Sequence, residues 1–156
     1  MKNRNALIGY TGFIGSNLLD FKKNILKFNS KNIHKIINKK FDIVICAGTS
    51  SKIWLAKKDP KLDKHKIDLL IKYLKTIKAK RFVLISTSEI YGTNRDTTET
   101  TKKYLSGINH YGENRLFLEN FIQKNFKVNY IIRLPIVYGK NFSKNCIYDL
   151  IYKNNI

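Results

Sequence analysis

Apolar residues along this chain alternate between two patterns. Short solid runs stand at residues 5–9 (NALIG), 41–48 (FDIVICAG), 81–87 (RFVLIST) and 128–134 (VNYIIRL), with a weaker one at 25–28 (ILKF). A run that is apolar throughout, rather than at every second position, marks a strand buried on both faces, as in a parallel sheet. Between the runs the apolar residues recur at helical spacing. Ile14, Leu18 and Phe21 follow the first run, and residues 31–40 make a short amphipathic helix. Leu62, Ile67, Leu70, Ile71 and Leu74 form one face of a helix over 59–80, opened by Asp59 and Pro60, a favourable helix start. A polar loop is predicted over 88–106. A helix over 109–125 turns Leu116, Leu118, Phe121 and Ile122 inward, Pro135 ends the last strand, and residues 143–154 predict a terminal helix. Strands and helices alternating at this rhythm predict βαβ units and an α/β fold with a doubly wound parallel sheet. No repeat, low-complexity linker or second boundary interrupts the pattern, so residues 1–156 are expected to form a single domain.

A glycine triplet, Gly9, Gly12 and Gly15, falls where the first run meets the first helical stretch. In that place each glycine has a physical use. Gly9 lets the chain turn off the strand, Gly12 lets backbone approach a pyrophosphate, and Gly15 lets the helix pack close. The helix start would then offer free N–H groups and partial positive charge to phosphates.

Composition adds a charge question. Thirty basic residues against eleven acidic ones give a net charge of +19. The lysines are scattered in short clusters at helix-surface positions, so a solvated basic surface is expected rather than a nucleic-acid groove. Such a field still favours phosphate-bearing ligands. The two cysteines, Cys46 and Cys146, lie far apart without metal-ligand spacing and read as reduced thiols. No apolar run is long enough for a bilayer, and the N-terminal stretch lacks a cleavage site. A cytoplasmic protein without a membrane partner is expected.

The spacing of the triplet is GxxGxxG, and GYTGFIGSNL resembles the NAD-dependent epimerase/dehydratase family, the extended branch of the short-chain dehydrogenase/reductase superfamily. Four further stretches carry the same resemblance in order: ICAG at 45–48, RFVLISTSEIYG at 81–92, YGENR at 111–115 and RLPIVYGK at 133–140. The resemblance implies a Rossmann-type fold and an NAD or NADP cofactor. The implied cofactor contacts are Gly9, Thr11, Gly12, Phe13, Ile14, Gly15, Ala47 and Gly48, together with Tyr111 and Arg115. The implied catalytic residues are Thr87, Tyr111 and Arg115. Thr87 would hydrogen-bond the substrate oxygen, and Tyr111 would serve as general acid or base on a sugar hydroxyl. Arg115 stands where the family carries Lys, which lowers the Tyr pKa and binds the nicotinamide ribose. Without the family, Thr87 reads as a strand-end hydroxyl bonded to backbone, Tyr111 as a helix aromatic, and Arg115 as a surface cation near Glu113.

Departures from the family pattern narrow the chemistry. An Arg keeps charge and donors but cannot pass a proton. Only Glu89 remains of the acid pair used by dehydratases, which argues against dehydration, and Glu89 is expected to face solvent. Ile136 replaces the usual Asn. Tyr91, Gly92, Arg133 and Tyr138 read as architectural. The strand near residue 28 ends in Asn29, Ser30, Lys31 and Asn32, with no acid for an adenosine ribose. With Lys27 and Lys31 beside it, this tips the expectation toward NADP over NAD.

Family members run to about twice this length. The expected reading is therefore a cofactor lobe truncated before most of the substrate lobe. Three possibilities stay open: a fragment of a sugar or nucleotide-sugar epimerase or reductase, a compact enzyme completed by a second subunit such as a homodimer partner, or a dinucleotide-binding module without turnover.

Overall fold

The computed structural model describes residues 4–19, 24–93, 97, 98, 100, 101, 107–139 and 146–151. Five strands form one sheet: β1 (Asn5–Ile8), β2 (Leu26–Phe28), β3 (Lys40–Cys46), β4 (Lys78–Thr87) and β5 (Asn129–Leu134). All pair in parallel, in the order β2-β1-β3-β4-β5. The described helices are α1 (Phe13–Leu19), α2 (Ile53–Lys58), α3 (Pro60–Leu74), α4 (His110–Asn125) and α5 (Cys146–Ile151). Two 3-10 turns, Ile33–Ile36 and Ser88–Tyr91, lie before β3 and after β4. None of the described helices is long and apolar enough to cross a membrane.

Register explains the core. Ala6 aligns with Val44 and Val44 with Phe82; Ile8 aligns with Cys46 and Cys46 with Leu84. These rows are sealed from solvent, and Ile67, Ile71 and Leu74 of α3 and Leu118 and Ile122 of α4 join them in one buried core. Asp59 caps α3 by accepting the Leu62 amide at 2.9 Å, and Asn109 caps α4 by accepting the Gly112 amide at 2.9 Å. Each such cap satisfies one otherwise orphaned amide and is worth about 1 kcal/mol.

Several expectations shift. The helix over 31–40 is only the 3-10 turn Ile33–Ile36; Asn38 follows at φ 57, a left-handed conformation that stops a helix and that Asn tolerates. Residues 53–58, not predicted as helical, form α2. Leu62 is 47% exposed, and Asp63 takes the core-facing place on α3 instead. Leu116 and Phe121 are only half-buried, while Glu119 shares the inner face of α4 with Leu118 and Ile122. Phe21 and most of the loop at 94–106 fall outside the described residues, as do the ends of the terminal helix.

The order of strands reverses between β1 and β3, since the chain steps outward from β1 to β2 and then returns across β1 to β3. Such a switch point splays the loops that follow the two strands and opens a crevice at their carboxyl ends.

Candidate active site

The glycine turn sits at that crevice. Gly9 leaves β1 at φ 86, and a Cβ on it would overlap the Ala47 carbonyl. Its amide donates to the Phe28 carbonyl at 2.7 Å, while the Ala47 amide donates to the Ile8 carbonyl at 2.9 Å. The turn is thus pinned between the ends of β2 and β3. A Cβ on Gly15 would overlap the Gly9 carbonyl, so α1 can approach the turn only with glycine there. Gly12 differs from both. It is exposed, and the nearest atom to a Cβ on it is the Gly9 carbonyl oxygen, at 3.4 Å. The backbone face at Gly12 is therefore open to an approaching group, and the first amides of α1 lack intrahelical partners by helix geometry.

A cleft of about 600 Å³ runs along the carboxyl ends of the strands. Thr11, Gly12, Phe13 and Ile14 line it on the α1 side, Ala47 and Ser50 follow β3, and Thr87, Tyr111 and Arg115 line it beyond β4. Gly48 lies behind Ala47, where a Cβ would meet the Ile8 side chain at 3.0 Å. Residues far apart in the chain are brought to one cavity because each follows, or packs against, the carboxyl end of a neighbouring parallel strand.

Thr87 ends β4, and its Oγ1 accepts the Glu89 amide at 3.2 Å, capping the 3-10 turn. The backbone bond expected of a strand-end hydroxyl is present, and the same side chain lines the cleft. Tyr111 stands in the first turn of α4 and is only 6% exposed. Burial pushes its phenol above the ordinary range; the charge of Arg115 pulls the other way without overcoming burial, and Asp63 and Glu89 add to the rise. A phenol held this way is protonated at neutral pH.

Arg115 is no surface cation: it is 2% exposed. Its guanidinium donates to both carboxylate oxygens of Asp63, at 2.8 and 3.1 Å, and to the Ser50 carbonyl at 2.6 Å. The Cζ lies 4.1 Å from the centre of the Tyr111 ring. Asn114 gives Asp63 a further donor at 2.9 Å. For Asp63, burial pushes the carboxyl up, but the hydrogen bonds from Arg115 and Asn114 outweigh it and hold the group below its usual range. The Nε of Arg115 is buried without a hydrogen-bond partner among the described residues. Arg115 does act to lower the Tyr111 pKa, as expected of the family Lys, but burial outweighs it. Both amino groups are engaged by protein, and the Tyr111 pKa is raised. Asp63 escaped the sequence reading because it sits among lysines, although its place four residues before Ile67 puts it on the apolar stripe.

Glu89 does not face solvent freely. It is half-buried, lines the cleft and accepts from Asn109 Nδ2 at 2.9 Å, so the cap of α4 also fixes the acid. Gly112 permits this closeness, since a Cβ there would stand 2.6 Å from the Glu89 carbonyl. Beneath the cleft, fully buried Glu119 accepts from Arg133 at 3.0 and 3.2 Å and from Ser86 at 2.6 Å, and Arg133 also reaches the Tyr91 hydroxyl. This network carries the architectural role expected of Arg133 and Tyr91; Glu119, its centre, was not foreseen. Ile136, in place of the usual Asn, lines the cleft and is 63% exposed. At the other end, the loop after β2 is tied by its own side chains: the Asn29 amide donates to Asn32 Oδ1 at 2.7 Å, and Asn29 Nδ2 to the Tyr10 hydroxyl at 3.3 Å. Lys27 and Lys31 are exposed there. Among the described residues no cluster of His, Cys, Asp and Glu could hold a metal ion.

Comparison with known proteins agrees with this fold. The NAD dependent epimerase/dehydratase family matches residues 28–154. No curated protein matches the sequence. Among solved structures, dTDP-4-dehydrorhamnose reductase from Bacillus anthracis, in complex with NADP, is similar at 22% identity and a TM-score of 0.76 over 98% of this chain and 60% of its own. UDP-glucuronic acid 4-epimerase from Bacillus cereus, in complex with NAD, is similar at 20% identity and a TM-score of 0.61, over 87% of this chain and 57% of its own. UDP-glucose 4-epimerase from Thermotoga maritima, with UDP-glucose, gives 18% identity and a TM-score of 0.60, over 87% and 56%. These likenesses show a shared fold, and the chain spans about 60% of the length of the first of these structures. By its family match, the chain belongs to the NAD-dependent epimerase/dehydratase family.

Proposed function

As a member of that family, we propose, this chain supplies the NAD(P)-binding lobe of an enzyme that reduces or epimerises a sugar, nucleotide-linked as in the similar structures. The observation that carries the reading is the contrast within the glycine triplet. Gly9 and Gly15 have no room for a side chain because protein backbone fills the space, whereas Gly12 has room for one, and its face stands open at the cleft. A cradle of that shape fits a pyrophosphate, and the unpartnered Nε of Arg115 marks buried polarity beside the same cavity.

A bound nicotinamide supplies or accepts hydride. The chain's own residues manage the oxygen of the sugar. Tyr111, protonated at neutral pH and pushed further up by burial, is set to donate a proton to a carbonyl oxygen as the carbon is reduced, with the Thr87 hydroxyl as the second hydrogen-bonding group. The proposed substrate is a keto-sugar nucleotide reduced at that carbonyl. Dinucleotide binding without turnover is the second reading, favoured by the engagement of both Arg115 amino groups with Asp63 and Ser50. The reading places the protein in the cytoplasm. A homodimer through α4, where Phe117 is 44% exposed, is the assembly proposed; size-exclusion chromatography with light scattering tests it.

The test of the function is titration with NAD(H) and NADP(H), followed by coenzyme fluorescence and thermal shift. Wild type binds. Gly12→Asp, which the open face accommodates, abolishes binding because its carboxylate occupies the phosphate position. Equal binding by the variant overturns the reading.

A further inference from the structure

We infer that Asp63 is a positioning residue for Tyr111, acting through Arg115: it clamps the guanidinium against the phenol ring and offsets part of its charge there. The inference rests on the proposed role of Tyr111 and extends it to a residue on another helix. Its basis is geometric. Asp63 and Arg115 come from α3 and α4, pair through two nitrogens at 2.8 and 3.1 Å, and are both buried. The pair is oriented from both sides, by Asn114 on the carboxylate and by the Ser50 carbonyl on the guanidinium. A guanidinium so held cannot swing, and its Cζ stays 4.1 Å from the Tyr111 ring centre.

The electrostatic consequence follows from the charges that act on the phenol. These are Arg115 from its own helix, Asp63 from α3 and Glu89 from the turn after β4. A lone cation beside a phenol stabilises phenolate and lowers its pKa; a cation compensated by a carboxylate at hydrogen-bond distance has little net field to offer. Burial therefore decides, and the phenol stays protonated. Asp63 thereby offsets part of the lowering that Arg115 exerts on the phenol, and burial keeps the group above its ordinary range, which suits proton donation.

The experiment follows ring-carbon NMR of ¹³C-tyrosine protein across alkaline pH without coenzyme, the Tyr111 resonance being identified by its loss in Tyr111→Phe. In Asp63→Asn the cation is uncompensated, and the Tyr111 midpoint falls by about one pH unit. An unchanged or higher midpoint in the folded variant overturns the inference. Removing one partner of a buried pair is strongly destabilising, so the doubly neutral variant Asp63→Asn/Arg115→Gln decides the matter if the single one does not fold. Its midpoint stays within about half a pH unit of the parent, because no net charge has been removed. A larger rise means that Arg115 was acting unopposed, and overturns the proposal. Asp63→Glu, which restores the charge, brings the midpoint back toward the parent. Because these titrations contain no coenzyme, their outcome is separate from the dinucleotide titration: absence of NAD(P) binding overturns the proposed function while leaving the pairing result readable.

Discussion

The carbonyl of Gly9 occupies the space where a side chain on Gly15 would begin. Strand end and helix start are in backbone contact there, and the turn's shape depends on it. Gly15→Ala forces that contact apart and is expected to destabilise the protein by about 1–3 kcal/mol or more, as other overpacking substitutions do. Gly9→Ala suffers both overlap and a positive φ. Gly12→Ala leaves stability within about 0.5 kcal/mol, as surface substitutions do. Thermal and urea melts of the three variants check the ranking.

Buried Glu119 pairs with the partly buried Arg133, with Ser86 as a further donor. Replacing Glu119 by Leu strands a largely buried cation, and the expected loss is about 3–5 kcal/mol. Ser86→Ala removes a hydrogen bond to a charged group and costs about 1.5–3 kcal/mol. Urea denaturation followed by far-UV circular dichroism measures both.

Cys46 carries an alkaline prediction. Burial pushes its thiol from 9.0 up to about 11. The native state therefore keeps a proton that the unfolded chain loses, so its stabilising contribution is full below pH 9 and is lost as pH rises toward 11. The decline attributable to this thiol is about 2–3 kcal/mol. Urea midpoints measured across that window should fall less steeply in Cys46→Ala. In a Cys146→Ser background the native protein should resist alkylation at pH 8 until it is unfolded.

Tyr111→Phe tests the proposed proton transfer. Turnover of a keto-sugar nucleotide should drop by about 10²–10⁴, while coenzyme binding, read by fluorescence, stays within about twofold if the hydroxyl serves the substrate. A loss of binding equal to the loss of turnover contradicts the assigned role.

The exposed pair Lys27 and Lys31 bears on coenzyme choice. NADPH is expected to bind more tightly than NADH. Lys31→Glu should weaken NADPH by about tenfold, near 1.4 kcal/mol, with a smaller effect on NADH. Parallel fluorescence titrations at two salt concentrations separate this from a general change in surface charge.

The sheet and the glycine turn were legible because their signals are local. A solid apolar run such as residues 41–48 suits a parallel strand, here with Val44 and Cys46 sealed on one face and Ile43 and Ile45 half-buried on the other, and glycine at Gly9 and Gly15 reflects contacts within a few residues or at the next strand end. The helix over 31–40 misled because its apolar spacing covers a single turn, and the conformation at Asn38 ends it. Leu62 and Asp63 show a subtler failure. Adjacent helix positions differ by about 100°, and which of them faces the core depends on the angle at which the helix docks, which its own residues do not record.

Taken alone, the chain determined that parallel strands would form and that a side-chain-free bend would follow the first. Those outcomes depend on apolar runs and backbone freedom, and both are properties of short segments. Tertiary structure decided which charges meet. Asp63 and Arg115 lie 52 residues apart, Ser86 and Glu119 lie 33 apart, and Glu89 and Asn109 lie 20 apart. A carboxylate and a guanidinium carry no mark of their eventual partner. Only the packing of α4 against α3 and against the end of β4 removed water from between them and made each pairing necessary.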